Sequence, residues 1–143
     1  MNYRLLTDPN DPLIPTILSA YRSPSVAQFI SIDEINYWNY VTGTGNVWFY
    51  KIFENECLIA TIHFELVDRV LYMDVVVFPE YQKRGFATEM LKDIQAGRFP
   101  IEFTKIQVSI DEANVASIKL FENAGFAYIS RDEALLEYVY IKT

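Results

Sequence analysis

The sequence predicts an α/β (α+β) domain of six to seven strands flanked by about four helices, and three observations predict it. Segments with helical spacing and cap signals alternate with β-rich runs in the order β-α-α-β-β-β-α-β-α-β-β. No internal repeat, low-complexity tract or long Gly/Ser/Pro linker divides the chain, so residues 1–143 are expected to form a single domain. At 143 residues, 51% hydrophobic and 22% charged, the chain suits one globular core.

Met1 to Leu6 reads as a first strand. Asp11-Pro12 offers an N-cap with proline at the first helical position, and Ile14, Ile17, Leu18 and Tyr21 follow at helical spacing, predicting a helix from Pro12 to Tyr21. Ser31 to Tyr40, with Ile32, Ile35, Tyr37, Trp38 and then Val41, predicts a second helix stopped by Gly43 and Gly45. Val47 to Phe53, a Glu54-Asn55-Glu56 turn and Cys57 to Leu66 predict a hairpin. On its second strand Ile59, Thr61, His63 and Glu65 share a face that is a candidate cleft wall.

Asp68-Arg69 makes another short turn, and Val70 to Phe78 is a continuous apolar run broken by Asp74, as in a strand covered on both faces. Pro79 ends it, lacking the N–H that a ladder needs. A helix opens beyond Gly85, with Thr88, Met90, Leu91 and Ile94 on one side and Gly97 and Pro100 at its end. Ile106 to Ile110 is a strand, Asn114 to Asn123 a helix stopped by Gly125, and Phe126 to Ser130 with Leu135 to Ile141 a terminal strand pair.

The formal charge of −7 argues against a nucleic-acid partner, which needs a basic face, and is compatible with cationic partners or with solubility alone. No apolar run reaches about 18 residues, so no membrane span is expected. The single Cys57 permits no internal disulfide and, with no charged-then-apolar leader, points to the cytoplasm. Cys57 itself reads as packing, with no His partner identified for a covalent mechanism. At this size folding buries roughly two-thirds of the unfolded surface, so no structural metal is needed, and no metal site is expected.

A strand, a short glycine-containing loop and a helix start together form an arrangement suited to phosphate, because first-turn N–H groups lack intrahelical partners and the helix dipole adds positive potential. In Gln82-Lys83-Arg84-Gly85-Phe86-Ala87 the glycine permits close backbone approach and Lys83 and Arg84 add charge; by spacing alone, a solvated loop with incidental charges fits equally well. No G-x-x-x-x-G-K-[ST] and no G-x-G-x-x-G after a strand occurs, which removes support for NTPase and dinucleotide readings.

Val75-Val76-Val77-Phe78-Pro79-Glu80-Tyr81-Gln82-Lys83-Arg84-Gly85-Phe86-Ala87 resembles the central motif of the GCN5-related N-acetyltransferases (GNAT), Q/R-x-x-G-x-G/A after a strand ending near proline. Asn114 to Phe126 resembles the family's later helix, N-x-x-[AS]-x-x-[LF]-Y-x-x-x-G-F. The resemblance covers residues 46–143 and implies a mixed, mostly antiparallel, splayed sheet with acetyl-CoA between the strand at 70–78 and the strand at 106–110. It further implies that acetyl-CoA is a co-substrate held by Val75, Val76, Val77, Gln82, Lys83, Arg84, Gly85, Phe86, Ala87, Thr88, Asn114, Ser117 and Phe121. Backbone groups of Val75 to Val77 would pair with the pantetheine amides as an added strand does, and an N–H freed by a bulge near Val75 or Val76 would polarise the thioester. Asn114 is equally an ordinary helix N-cap, and the two roles can coexist.

Amide formation needs a neutral amine, hence a proton acceptor. Asp74 is the first candidate, against its reading as a solvated strand carboxylate; several family members that acetylate small amines carry an acid at the position it resembles. His63 and Glu65 are further catalytic candidates, with an imidazole pKa near ~6.5 suited to base work; a lone His on a strand is also commonly structural. Glu112 reads as a solvated loop residue. Phe121 departs from the family pattern, standing where a tyrosine most often protonates the leaving thiolate; Tyr128, Tyr138, Tyr140 or water are the alternatives. The expected function is acetyl transfer to a small amine by direct ternary-complex transfer, by a monomer or homodimer. The alternatives are an acyl-CoA-binding or sensing module, or an acetyltransferase of protein N-termini or lysines.

Overall fold

The computed structural model describes all of residues 1–143. Seven strands, β1 (Asn2–Leu5), β2 (Val47–Glu54), β3 (Cys57–Val67), β4 (Val70–Val77), β5 (Lys105–Asp111), β6 (Ala127–Asp132) and β7 (Leu135–Ile141), form one sheet in the order β1-β2-β3-β4-β5-β7-β6. The helices are α1 (Ile14–Tyr21), α2 (Pro24–Ala27), α3 (Tyr37–Gly43), α4 (Phe86–Gln95) and α5 (Val115–Asn123). The chain divides into two compact units, Met1–Glu65 with Asp74–Arg84, and Leu66–Met73 with Gly85–Thr143.

In the first unit β2 pairs antiparallel with β1 and with β3, placing Phe49 opposite His63, Lys51 opposite Thr61 and Val47 opposite Glu65. The β2–β3 turn holds Asn55 and Glu56 at φ of 50° and 64°, the left-handed pair that two-residue hairpin turns require. Its core gathers Ile14, Ile17 and Tyr21 of α1, Val26 of α2, Trp38 and Val41 of α3, and Val47, Phe49, Val76 and Phe78. β3 is covered on both faces over Ile59–Phe64, apart from half-buried His63, so the simple two-faced alternation expected there is replaced by near-continuous burial.

The helices before β2 depart from expectation. α1 starts two residues late because the Asp11 carboxylate accepts from the Leu13 N–H at 2.8 Å, an Asx turn that precedes the helix. The short α2 was not anticipated; Pro24 occupies its first position, and the Val26 and Ala27 amides donate to the Ser23 carbonyl. The helix expected over 31–40 begins at Tyr37, since Asp33 accepts from the Ile35 and Asn36 amides and holds 33–36 as a turn. Gly43 falls inside α3 rather than stopping it.

In the second unit β4 and β5 run parallel, with register Val70↔Lys105 through Tyr72↔Gln107, whereas β5–β7 and β6–β7 are antiparallel. α4 and α5 both end in six-residue reverse turns. The Arg98 amide donates to the Asp93 carbonyl and the Gly97 amide to Ile94, while Phe126 donates to Phe121 and Gly125 to Glu122. Gly125 sits at φ 91°, which any other residue would strain. The Phe121 and Phe126 rings, 5.0 Å apart, supply the apolar contact that accompanies this helix stop.

Candidate active site

Within the first unit, residues from α1, α3, β3 and β4 converge on Asp74. The carboxylate is exposed on β4, and its electrostatic neighbours are Tyr21, Tyr37 and His63. The surrounding protein pushes its pKa up, and the His63 charge pulls weakly the other way. His63 is half-buried; burial lowers its pKa below the ordinary value, against the opposite pull of Asp74 and Glu65. Its Nδ1 lies 2.5 Å from the Tyr37 hydroxyl.

Glu65, two residues along β3, accepts from the Tyr40 hydroxyl at 2.9 Å. Thr61, 1% exposed, shares a hydrogen bond of 2.6 Å with the Tyr21 hydroxyl, which satisfies two polar groups that burial would otherwise penalise. Desolvation holds the Tyr21 and Tyr37 phenols well above their usual range, so both stay protonated at neutral pH. The three acidic and basic residues expected from sequence, Asp74, His63 and Glu65, therefore stand in one neighbourhood. Tyr21, Tyr37 and Tyr40 join them unanticipated, while Thr61 lies on the β3 face expected as a cleft wall. Tyr21 and Tyr37 counted only as apolar positions on helices; a hydroxyl on an otherwise apolar helix face was the available signal.

The segment after β4 opens with a single 3₁₀ turn, Pro79–Tyr81. The Gln82 side chain folds back, donating from Nε2 to the Val77 carbonyl at 3.0 Å, while Lys83 takes φ 62° and Gly85 takes φ 83° just before α4. A Cβ built on Gly85 would meet nothing within 4 Å, so the loop backbone is open on that side. No side chain caps α4, Lys83, Arg84 and Thr88 are exposed, Phe86 and Ala87 are half-buried, and the Arg84 guanidinium stands 5.5 Å from the Tyr81 ring centre. Along β4, Val76 is buried, whereas Val75 and Val77 are half-buried.

In the second unit Asn114 caps α5, its Oδ1 accepting from half-buried Ser117 N at 3.2 Å. Phe121 is 6% exposed and packs against Phe126. Of the phenols weighed as its replacement, Tyr138 donates to Glu122 at 3.1 Å and is pushed up in pKa by desolvation and then by that carboxylate, while Tyr140 stacks on Phe126. Glu112 is exposed and ion-paired with Arg131. Cys57, expected to pack in the core, is instead exposed, because it opens β3 directly after the hairpin turn. No helix is long and apolar enough to cross a membrane.

The site thus combines a strand, an uncapped helix start after it, and a carboxylate of raised pKa on the same strand. The model of the acetyltransferase (GNAT) family matches residues 14–126, and the chain belongs to that family. No curated protein sequence matches it significantly. Among solved structures, the Campylobacter jejuni N-acetyltransferase PseH in complex with acetyl coenzyme A is 13% identical, with TM-score 0.78 over 99% of this chain and 100% of that one. The spermidine N-acetyltransferase from Vibrio cholerae in complex with CoA and spermine is 15% identical, with TM-score 0.80 over 99% and 95%. The aminoglycoside acetyltransferase AAC(6')-Ib in complex with coenzyme A and kanamycin is 17% identical, with TM-score 0.79 over 99% and 94%. At these identities the likeness establishes the shared fold, a seven-stranded mixed sheet with five helices.

Proposed function

We propose that this protein, acting as one catalytic domain, transfers the acetyl group of acetyl-CoA to a primary amine of a small cationic acceptor, by direct attack in a ternary complex. The observation that carries this reading is Asp74. A carboxylate of raised pKa, with Tyr21, Tyr37 and His63 as electrostatic neighbours, stands one residue before Val75 to Val77 in a chain of the GNAT family. A carboxylate there attracts a protonated amine and, with its pKa moved toward neutrality, accepts the proton that the amine must lose.

The loop fits the cofactor. Gly85 leaves the backbone open, α4 offers first-turn N–H groups without a side-chain cap, and Lys83 and Arg84 supply the local positive charge that an acidic chain otherwise lacks. In this reading Gln82 to Thr88 hold the pyrophosphate and the backbone of Val75 to Val77 pairs with pantetheine. The buried positions switch from Leu71 and Met73 to Val76 and Phe78 along this strand, consistent with a local bulge that would free an N–H for the thioester oxygen. Asn114, Ser117 and Phe121 complete the cofactor set.

The ammonium gives one proton to Asp74, which returns it to solvent; the neutral nitrogen then attacks the thioester carbon, the C–N bond forms as the C–S bond breaks, the second N–H proton passes to Asp74, and CoA leaves as thiolate. With a thiol pKa near ~8.5 the thiolate is a tolerable leaving group and takes its proton from solvent, so Phe121 is compatible with turnover. Phe121 also favours a second reading, an acyl-CoA-binding module that does not turn over. Release of CoA thiol, measured with saturating acetyl-CoA across diamines, aminosugars and peptides with free N-termini or lysines, separates them. Turnover on small amines supports the proposal, tight acetyl-CoA binding without turnover on any acceptor establishes the second reading, and peptide-only turnover moves the acceptor to protein.

A further inference from the structure

Tyr37 makes a hydrogen bond that the reaction described above does not use. Its hydroxyl stands 2.5 Å from Nδ1 of His63, and its ring is held by edge-on contacts with Trp38 at 5.1 Å and Phe49 at 6.0 Å. His63 is also the single histidine of the chain.

The direction of this bond follows from proton accounting. The hydroxyl of Tyr37 has His63 Nδ1 as its one hydrogen-bond partner. Were Nδ1–H the donor, the phenolic hydrogen would be left without a protein acceptor on a half-buried side chain, at the cost of a hydrogen bond. The hydroxyl therefore donates and Nδ1 accepts, which puts the imidazole proton on Nε2. We propose that Tyr37 is a positioning residue that fixes His63 as its neutral Nε2–H tautomer, so that His63 meets the acceptor site as a hydrogen-bond donor and not as a base.

The groups around the ring agree with this assignment. Tyr37 and Tyr40 of α3 face the imidazole with ring centroids at 5.6 and 6.3 Å, Asp74 of β4 and Glu65 of β3 act on its charge, and Tyr21 of α1 is coupled to Tyr37 and Asp74. Lys51, opposite Thr61 in the register, is paired with Asp11. A donor hydrogen bond to Nδ1 favours the neutral ring, in the same direction as its burial, and two nearby carboxylates favour an N–H over a lone pair at Nε2. With Nδ1 occupied and Nε2 protonated, the neutral ring has no free lone pair with which to take a proton. The role in acceptor binding rests on the proposed function; the tautomer does not.

Because there is one histidine, ¹⁵N-histidine labelling of the full chain reports on this ring alone. The wild type is expected to show a protonated Nε2 and an unprotonated Nδ1 above its titration midpoint. Tyr37→Phe, which keeps the ring packing, is expected to give a tautomer mixture and a midpoint higher by roughly 0.5–1 pH unit, the equivalent of one neutral hydrogen bond. A wild-type ring protonated at Nδ1, or a folded Tyr37→Phe with tautomer and midpoint unchanged, overturns the proposal, and the wild-type spectrum decides alone if the variant does not fold. Where an acceptor is found, the acid limb of kcat is expected to stay in place in Tyr37→Phe while the His63 midpoint moves. An acid limb that follows His63 makes His63 the base and overturns its role as donor. Absence of turnover on every acceptor removes the enzyme reading and leaves the spectroscopic result standing.

Discussion

At Asp74 the fold sets two demands against each other. A carboxylate partly desolvated by surrounding protein is harder to ionise than one in water, so its folded-state pKa is raised; the stability it contributes is present below the unfolded pKa and lost as pH rises through the folded value. Asp74→Asn removes that penalty. It is expected to melt higher than wild type at neutral pH, with the two curves converging in acid, while kcat falls by about 10²–10⁴ and acetyl-CoA affinity is retained. Thermal melts from pH 4 to 8 alongside amine turnover check both halves; a lower melting temperature at neutral pH, or wild-type kinetics across pH, removes Asp74 from this role. His63 runs the opposite way, since its lowered pKa gives stability that is present above the unfolded value and lost as pH falls through the folded one.

At the scale of elements, two local devices hold the first helix and the loop before α4. The Asp11 carboxylate accepts from the Leu13 amide and receives Lys51 Nζ at 2.6 Å, with both charged side chains 12% exposed, so one ion pair ties the entrance of α1 to β2. Burial pushes the Asp11 pKa up, but the Lys51 hydrogen bond, the Leu13 amide and the Lys51 charge together bring it below the ordinary value. Its stability contribution is therefore present above the unfolded pKa and lost as pH falls through the folded one. Lys51→Met is expected to cost about 3 kcal/mol in urea unfolding at neutral pH, because it strands a largely buried carboxylate, and Lys51→Met with Asp11→Leu to recover part of that loss. A single-variant cost below ~1 kcal/mol would show the pair to be solvent-screened. In the loop, Gly85→Ala is expected to cost about 1 kcal/mol for a side chain at φ 83°, with acetyl-CoA affinity little changed, whereas Gly85→Glu has the same strain and loses affinity about tenfold or more. Equal affinities in the two folded variants, by calorimetry, would take the pyrophosphate away from this loop. All seven strands were legible because β-branched runs bounded by Pro, Gly and charged turns are local signals, and the α4 and α5 stops because Gly97 and Gly125 mark them. The region 22–43 was misread because its periods compete with Asx and proline turns at Ser23-Pro24 and Asp33, where one side-chain hydrogen bond moves a helix start by several residues.

For the molecule as a whole, the same division holds between what is local and what is convergent. The motifs that carry family membership are contiguous, so they were readable; the hydroxyls of Tyr21, Tyr37 and Tyr40 reach Thr61, His63 and Glu65 of β3 from helices distant in sequence, and no spacing rule links them. The charge of −7 adds a constraint that neither motif shows. On the proposed reading, a chain this acidic repels the anionic cofactor at long range and attracts a cationic acceptor, and the short-range donors of the loop with Lys83 and Arg84 would oppose the first effect. Salt screens the long-range terms, with a Debye length falling from about 14 Å near ~0.05 M to about 4 Å near ~0.5 M, and leaves backbone hydrogen bonds at a helix start largely untouched. For an acceptor carrying two or more positive charges, KM is therefore expected to rise several-fold over that range, with kcat nearly constant. The acetyl-CoA dissociation constant is expected to change less than the acceptor KM, because screening weakens the repulsion from the whole chain and the attraction of the two loop cations together. Steady-state kinetics with a diamine and with its uncharged-tail monoamine analogue give the test. An acceptor KM indifferent to salt in both would mean that the acidic surface serves solubility and takes no part in gathering the substrate.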